Sequence, residues 1–463
     1  MSGELPMGWT MTRLYEIAVL NPRHPRDLDG KLTVTFVPMP AVSETSPLLE
    51  TSQERALDTV RTGYTQFADG DVLFAKITPC MENGKGAVAT GLRNGLGCGT
   101  TELHVIRPHG GIDPHYLFRF LAQRSVRRVA EENFTGSAGQ ARVPLSFIEE
   151  LEIPLAPLGE QRRMVAKLET LLGKVDACQR RLAKIPRLLK RFRQSVLAAA
   201  CSGRFTADWR EQRTTDGTDD TDKNPSVKSV KSVVKKSANS AAPREENGSR
   251  GDTEDAEELP EGWVPSRIGE AIESLKYGTA QKCGYEKRGV PVLRIPNVAD
   301  GTIDHSDLKF AELPAKELEQ LRLRPGDILM IRSNGSVSLV GKCALVQEHD
   351  RGFAYAGYLI RIRPHQNIVV PHFLNLVLSS YDIRLQIELE ARSTSGVNNI
   401  NSEEVRALRF SIPPLAEQHE IVRRVAQFFT LADQLEARTA KAQAYVDKLT
   451  PSLLAKAFRG ELV

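Results

Sequence analysis

Two long stripes of apolar residues, stepped by four and three in turn, dominate the hydrophobic pattern of this chain. One runs through Ile421, Val425, Phe428, Ala432, Leu435, Thr439, Ala442, Val446, Leu449 and Leu453. The other lies 257 residues earlier, at Met164, Leu168, Leu171, Val175, Cys178, Leu182, Ile185, Leu189, Phe192 and Val196, and is apolar throughout. A mean step near 3.5 residues held for this long predicts a coiled coil, not an ordinary amphipathic helix. Glu160 and Glu417 fall in the first turns, where a carboxylate complements the helix dipole. Pro186 and Pro451 interrupt the stripes, so each helix is expected to kink or restart there. Thr450 ahead of Pro451 predicts an N-cap with proline in the first helical position. The two stripes are expected to pack on each other as one intramolecular antiparallel pair, with a globular domain at either end.

The rest of the pattern is shorter in range. Residues 1–155 and 259–413 hold brief apolar runs punctuated by Gly, Pro and Asn. Asp71–Ile77 follows Gly70, and Asp327–Ile331 follows Pro325-Gly326; both predict strands leaving tight turns. Pro114–Arg128 and its counterpart Pro371–Leu389 predict helices. The predicted class is α+β, two globular domains with curved mixed sheets joined by two long helices in an intramolecular antiparallel coiled coil. Helical segments are expected at 156–205 and 414–463. Between the halves, residues 206–258 predict a flexible polar linker. Within 211–258 the large apolar residues are Val227, Val230, Val233 and Val234 alone, too few to offset the entropy of ordering. The Lys228–Lys236 run reads as part of a solvated tether.

Much of the chain is said twice. Leu155-Ala-Pro-Leu-Gly-Glu-Gln161 returns as Ile412-Pro-Pro-Leu-Ala-Glu-Gln418, and Ser195–Phe205 returns as Ser452–Leu462, both at an offset of 257. Leu5-Pro-Met-Gly-Trp9 returns as Leu259-Pro-Glu-Gly-Trp263 at an offset of 254. Between these matched ends the two copies diverge strongly. A shared frame with divergent interiors suits a reader of two different targets.

Composition narrows the picture. A chain of 463 residues suits two domains plus connectors, and a net charge of +4 is too small to argue for nucleic acid by itself. The six cysteines (Cys80, Cys98, Cys178, Cys201, Cys283, Cys343) form no Cys-x-x-Cys pair, so reduced thiols in a cytoplasmic protein are expected. No secretory signal and no run of 18 apolar residues is found, so no membrane association is expected.

No catalytic set emerges. Asn21-Pro22-Arg23 and Asn224-Pro225-Ser226 lack the proline and aromatic of an amino-methyltransferase motif. Gly335 to Gly341-Lys342 is one residue too long for a phosphate-binding loop, and Cys343 stands where the Mg²⁺-binding hydroxyl belongs. His419-Glu420 lacks the second histidine of a zinc protease helix. The nine histidines show no metal-ligand spacing, and no metal or cofactor site is expected.

The Leu-Pro-x-Gly-Trp openings, the Pro-Leu-x-Glu-Gln starts at 157–161 and 414–418, and the Gly-Arg-Phe and Gly-Glu-Leu ends occur in a characteristic order and spacing. Gly136–Arg142 and Ser395–Asn401 add two interior motifs. Together they make the chain resemble the specificity subunit of type I restriction-modification enzymes, over its whole length except the linker. The resemblance implies that 1–155 and 259–413 are target-recognition domains, each reading half of a split site in double-stranded DNA. It implies that the helical spacers dock two adenine-N6 DNA methyltransferase subunits that use S-adenosylmethionine, and that restriction subunits using ATP and Mg join the assembly. At about 1.5 Å per residue, the 32 residues from Ile421 to Leu453 would span roughly 48 Å, about 14 base-pair steps.

On this reading the candidate DNA-binding residues are polar and basic side chains on loops. In the first domain they are Lys76, Thr78, Asn83 and Lys85, then Thr100, Thr101, Gln140 and Arg142. In the second they are Arg332, Ser333, Asn334, Ser336 and Lys342, then Ser395, Asn398 and Asn399. Arg and Lys suit guanine O6/N7 and Asn and Gln suit adenine N6/N7, whereas Lys, Ser and Thr also hold phosphates. Asn83-Gly84 and Asn334-Gly335 are ordinary turn formers too. Glu160, Gln161, Glu417 and Gln418 are expected to cap the helices or dock subunits. The competing reading is a coiled-coil scaffold carrying two unrelated binding domains, which predicts no sequence-selective DNA binding.

Overall fold

A computed structural model of the chain describes residues 5–215 and 259–462, except 45, 47, 50–52, 138–139, 300, 391 and 395–396. The helices that organise it are α1 (Pro114–Leu121), α2 (Leu158–Leu182), α3 (Ile185–Cys201), α4 (Ala207–Thr215), α5 (Pro371–Leu378) and α6 (Leu415–Ala457). Two compact units form: Met1–Lys184 with Thr439–Val463, and Ile185–Arg438. Each unit therefore joins a sheet domain to the start of one long helix and the end of the other.

The first unit contains a four-stranded sheet in the order Ala18–Leu20, Leu103–Pro108, Val72–Ala75, Gly86–Val88. A second four-stranded sheet runs Gln53–Ala56, Thr33–Val37, Leu96–Gly99, Thr65–Ala68, and its central pair is parallel. A two-stranded ribbon, Thr10–Arg13 on Glu152–Leu155, closes the base. Val37, Phe67, Leu73, Ala87 and Val105 are buried in one core cluster, while α1 and the start of α2 cover another.

The second unit repeats this order in different residues. Its four-stranded sheet runs Ile272–Tyr277, Leu359–Pro364, Ile328–Ile331, Cys343–Leu345. A three-stranded sheet sets Val290–Leu293 between Lys309–Ala311 and Ala354–Tyr355, again with one parallel pair. Val264–Arg267 and Arg409–Ile412 form the matching basal ribbon. A further sheet, Ser333–Asn334, Val397–Asn399 and Arg392–Thr394, belongs to this unit. The α+β class with mixed sheets holds. The expected strands after Gly70 and Gly326 are present as Val72–Ala75 and Ile328–Ile331, and each expected short helix is split, Arg124–Glu132 following α1 and Tyr381–Glu390 following α5.

Helix pairing is antiparallel inside each unit. In the first, Met164, Val165 and Leu168 of α2 share a core with Leu454, Ala457 and Phe458, while Gln179 Nε2 donates to Asp447 at 3.1 Å. In the second, Phe192 packs on Phe428 at 6.0 Å. Arg193 bridges Asp433 at 2.6 Å and Glu436 at 2.9 Å, and Arg424 reaches back to Asp208 at 2.7 Å. The stripes are buried mainly where they meet a domain core; Phe428 and Leu435 stay 39% and 41% exposed.

One expectation holds and three need correction. The first helical segment does restart at its proline, α2 ending at Leu182 and α3 beginning at Ile185. The second does not: α6 runs unbroken through Pro451, so Thr450 is an interior residue and no N-cap. A proline costs a helix interior about 3 kcal/mol. Here the following turn is held in place, because Phe458 is buried against Tyr116 and Phe120 at centroid distances of 4.9 and 5.4 Å. Burial of Leu454, Ala457 and Phe458 offsets the lost hydrogen bond. The polar linker also starts later than residue 206. Residues 207–215 form α4, which is tied down through Asp208 and Arg210. The remainder of the expected linker, with the Lys228–Lys236 run, lies outside the described residues.

Candidate nucleic-acid interface

The loops that carry the candidate residues start from two equivalent salt bridges. Asp71 and Asp327 each follow a glycine turn and are buried, each 1% exposed. Asp71 accepts the amide of Ala68 at 2.7 Å and pairs with Arg107 at 2.7 and 2.8 Å. Asp327 accepts the amide of Arg324 at 2.8 Å and pairs with Arg363 at 2.7 Å through both nitrogens. These hydrogen bonds hold both guanidinium groups above the usual arginine range. Each pair fixes the entry to a central strand, so the loop leaving that strand's far end is aimed the same way in both units.

Lys76 and Arg332 occupy the first position of that loop. The Lys76 amide donates to Glu102 O at 3.0 Å and its carbonyl accepts from Val143 at 2.9 Å. The Arg332 amide donates to Tyr358 O at 3.0 Å and its carbonyl accepts from Ile400 at 2.9 Å. Three separated segments are thereby drawn together in each unit, 76–85, 100–102 and 135–143 in the first, 332–342, 357–358 and 397–400 in the second. Thus Thr78, Asn83, Lys85, Thr100, Thr101, Gln140 and Arg142 do cluster around Lys76. Likewise Ser333, Asn334, Ser336, Lys342, Asn398 and Asn399 cluster around Arg332. Ser395 lies outside the described residues.

Side-chain geometry then separates the candidates. The Arg142 guanidinium is committed inside the protein, to Glu102 at 2.8 and 2.9 Å and to Gln140 O at 3.0 Å. The pair raises the arginine and lowers the carboxyl of Glu102 relative to their ordinary values. Buried His104, kept less basic by burial, shares a hydrogen bond with Val143 O at 2.8 Å and supports the same loop from below. Thr78 hydroxyl donates to Glu82, and Thr100 hydroxyl accepts the amide of Glu102 at 3.2 Å. These groups shape the loop. Asn83, Thr101 and Gln140 are exposed, and Lys76 and Lys85 partly so.

In the second unit the Arg332 guanidinium lies 4.4 Å over the Tyr277 ring, with Nε 3.4 Å from Asn399 Oδ1. Cation–π attraction contributes on the order of 0.5–1 kcal/mol at such a site. Asn398 is turned inward, donating to Gly335 O at 3.1 Å. Asn334 Oδ1 accepts the Ser336 amide at 2.9 Å, and the Ser336 and Ser338 hydroxyls lie 2.8 Å apart. Two aromatic residues were not picked out from sequence. Tyr277 supports Arg332, and Tyr358, 63% exposed, stands beside it. Tyr358 falls at the position of Glu102 at an offset of 256, the same offset that relates Arg332 to Lys76, and that is the signal the sequence carried for it.

The duplicated Glu-Gln pairs serve as anchors between helix and domain, and not as N-caps. Gln161 and Gln418 are fully buried. Gln161 accepts the Asp113 amide at 2.8 Å and donates to Gly111 O and Ala156 O at 3.1 and 2.7 Å. Gln418 accepts the Val370 amide at 2.7 Å and donates to Ile368 O and Pro413 O at 3.0 and 2.9 Å. Glu160 and Glu417 accept the indole N–H of Trp9 and Trp263, each at 3.1 Å. Glu417 also accepts the Thr206 hydroxyl at 2.6 Å and pairs with Arg210.

Comparison with known proteins agrees with this duplicated frame. The family model for the type I restriction modification DNA specificity domain matches residues 39–187 and again 260–444. The type I restriction enzyme EcoKI specificity subunit of Escherichia coli K12 is 32% identical over 361 residues, covering 77% of this chain and 68% of that protein. The EcoEI specificity subunit of Escherichia coli is 29% identical, covering 95% and 81%. Among solved structures, the HsdS subunit from Thermoanaerobacter tengcongensis superposes with a TM-score of 0.63 at 22% identity, covering 100% of this chain and 99% of that one. A chain solved in work on complex assembly and conformational transition of the type I R-M system gives 0.71 at 22% identity, covering 99% and 100%.

Proposed function

The chain belongs to the type I restriction-modification DNA specificity family, and from that premise we propose that each of its units reads one half of a split double-stranded DNA site through the loop cluster around Lys76 or Arg332. It is a specificity subunit, two specificity domains on one chain, and not itself the catalyst. The observation that carries the two-reader assignment is the equivalence of the clusters. The same backbone bonds place Lys76 and Arg332 at the same point of the same frame, while the residues around them differ.

Chemistry suggests the division of labour. A guanidinium placed 4.4 Å over the Tyr277 ring offers a fork of N–H donors, which suits guanine O6 and N7. Asn334 beside it offers an amide, which suits adenine. Lys76, Lys85 and Ser336 suit phosphates and would set register without reading sequence. Arg142, Thr78, Asn398 and Asn399 shape the loops that hold these readers. The helical segments would dock two DNA methyltransferase subunits that bring S-adenosylmethionine, and restriction subunits that bring ATP and Mg. The long antiparallel pairing in each unit supports a spacer role. Among the described residues no helix is long and apolar enough to cross a membrane, and work on DNA in the cytoplasm is the setting that fits.

The test is methylation sequencing with the chain assembled on its methyltransferase partner. Arg332→Ala should degrade one half-site, costing about 1–3 kcal/mol at one base position, and Lys76→Ala should weaken binding with little change of motif. The other half-site and the spacer length should stay intact. A single substitution that altered the bases read at both half-sites would refute the assignment. Methylation without any sequence preference would favour the scaffold reading instead.

A further inference from the structure

We propose that His305, His349 and Asp350, on the second unit, bind one divalent transition-metal ion of the zinc class. The inference begins with buried charge. Among the described residues four carboxylates are buried: Asp71, Asp327, Asp350 and Glu417. Three of them are neutralised by an arginine, namely Arg107, Arg363 and Arg210. Asp350, with no exposed surface at all, faces two imidazoles in place of a guanidinium. Its sequence neighbour Arg351 is turned to Glu348 at 2.5 Å. A buried carboxylate calls for a counter-charge, and two imidazoles beside a carboxylate form a ligand set that suits a divalent metal ion.

The geometry suits such an ion. Asp350 Oδ1 lies 2.5 Å from His305 Nε2 and 3.7 Å from His349 Nε2, and the three ligand atoms all fall within 4.8 Å of one another. Tetrahedral zinc, with bonds of about 2.0–2.2 Å, sets neighbouring ligand atoms roughly 3.3 Å apart. The present separations bracket that value, so small side-chain rotations suffice. The carboxylate is already oriented, because Oδ2 accepts the Gln347 amide at 2.7 Å. Outer-shell hydrogen bonds of this kind fix ligand direction. His305 is steadied by Phe353, ring to ring at 6.1 Å. His349 is 65% exposed at its side chain, leaving a path for the ion and room for a water as fourth ligand. On binding, His305 would give up its hydrogen bond to Asp350, and Nε2 would carry the metal with its proton on Nδ1.

The consequence is mechanical. Gly301 pairs with Ala344 beside the Cys343–Leu345 strand, and Asp350 follows that strand. An ion held by His305 and Asp350 would clamp the turn after Gly301 to the turn after the strand. That clamp sits at the end of the strand opposite Lys342 and the Arg332 cluster, so its role is to stiffen the domain and not to touch DNA.

The test is zinc titration of the full metal-free chain by calorimetry, with thermal melting alongside. The wild type should take up one zinc per chain at this site and melt at a higher temperature with zinc than without. His305→Ala and His349→Ala should each weaken that uptake by at least about tenfold and abolish the zinc-dependent shift. His349 is exposed, so its loss leaves the packing intact and the variant remains interpretable. Magnesium, a hard ion that prefers oxygen ligands, should not substitute. Absence of zinc binding by the wild type would overturn the proposal, and so would equal uptake by wild type and both variants.

Discussion

Gly203 and Gly460 end the two helical segments, and replacing either by alanine gives a sharp test of how the duplicated frame is locked. Both have left-handed backbones, φ +77° and +75°. A Cβ at Gly460 would sit 2.3 Å from Pro6 Cγ, and one at Gly203 would sit 2.5 Å from Pro260 Cγ and 3.1 Å from the Trp263 ring. The left-handed conformation costs a non-glycine residue about 1–2 kcal/mol. Relieving the overlap adds about 1–3 kcal/mol. Pro6 is only partly buried and can yield. Trp263 is 6% exposed and donates its indole N–H to Glu417, so it cannot move without breaking that bond. Gly203→Ala should therefore cost about 3–5 kcal/mol and Gly460→Ala about 2–3 kcal/mol. For units of this size each kcal/mol lowers Tm by roughly 2–4 °C, so scanning calorimetry of the full chain should show the second unit of Gly203→Ala melting about 6–20 °C lower. Gly110→Ala, where an added Cβ meets nothing within 4 Å and φ is not positive, serves as control and should stay within about 0.5 kcal/mol of wild type. If Gly203→Ala melted like Gly110→Ala, the helix-end lock would be wrong.

Glu417→Ala should destabilise by about 3–5 kcal/mol, since it breaks a buried ion pair with Arg210 and leaves the Trp263 indole unmet, whereas Glu160→Ala, at a partly exposed site, should cost about 1 kcal/mol; chemical denaturation of each variant measures the difference. Deleting residues 207–215 should lower stability through loss of the Asp208–Arg424 and Arg210–Glu417 pairs, while trimming within 217–257 should leave both melting temperature and methylation motif unchanged. Hydrogen bonds from Arg423 and Arg424 hold the Glu420 carboxyl down from its ordinary 4.5 to about 2. A folded-state value below the unfolded one means that the ion pairs stabilise fully above about pH 4.5 and lose their contribution as pH falls toward 2. Unfolding curves at pH 7 and pH 3 should therefore show Glu420→Gln losing more relative stability at pH 7 than at pH 3; an equal deficit at both would remove the pair as the cause.

Much of this molecule is legible in its sequence because the informative signals are local or periodic. The ten-residue stripes give the long helices, since a 3.5-residue period can bury only one face. Duplicate Gly-Trp, Glu-Gln and Gly-Arg or Gly-Glu motifs give the two-module plan, and glycine turns before Asp71 and Asp327 give the central strands. The candidate segments of the first domain are loops as expected, because Asn-Gly and Lys-Gly turns end a strand, whereas Ser333, Asn334, Asn398 and Asn399 of the second lie on short strands of a three-stranded sheet and not on loops.

What the sequence could not decide was which partner each side chain would choose. Arg142 and Arg332 look alike as loop arginines, yet Arg142 meets Glu102, 40 residues away, and Arg332 meets Tyr277, 55 residues earlier. Pro451 reads locally as a helix start, and only the pocket that receives Phe458 keeps the helix running through it. The Glu-Gln pairs read as helix-start chemistry, but burial beside Trp9 and Trp263 turns them into bolts between helix and sheet. His305 and Asp350 are 45 residues apart and share no motif; a folded turn brings them within hydrogen-bond distance. Local propensity and period determine the elements, because they act over a few residues. Ion pairs, buried amides and ligand clusters are set by which elements meet, and that is decided by the tertiary fold alone.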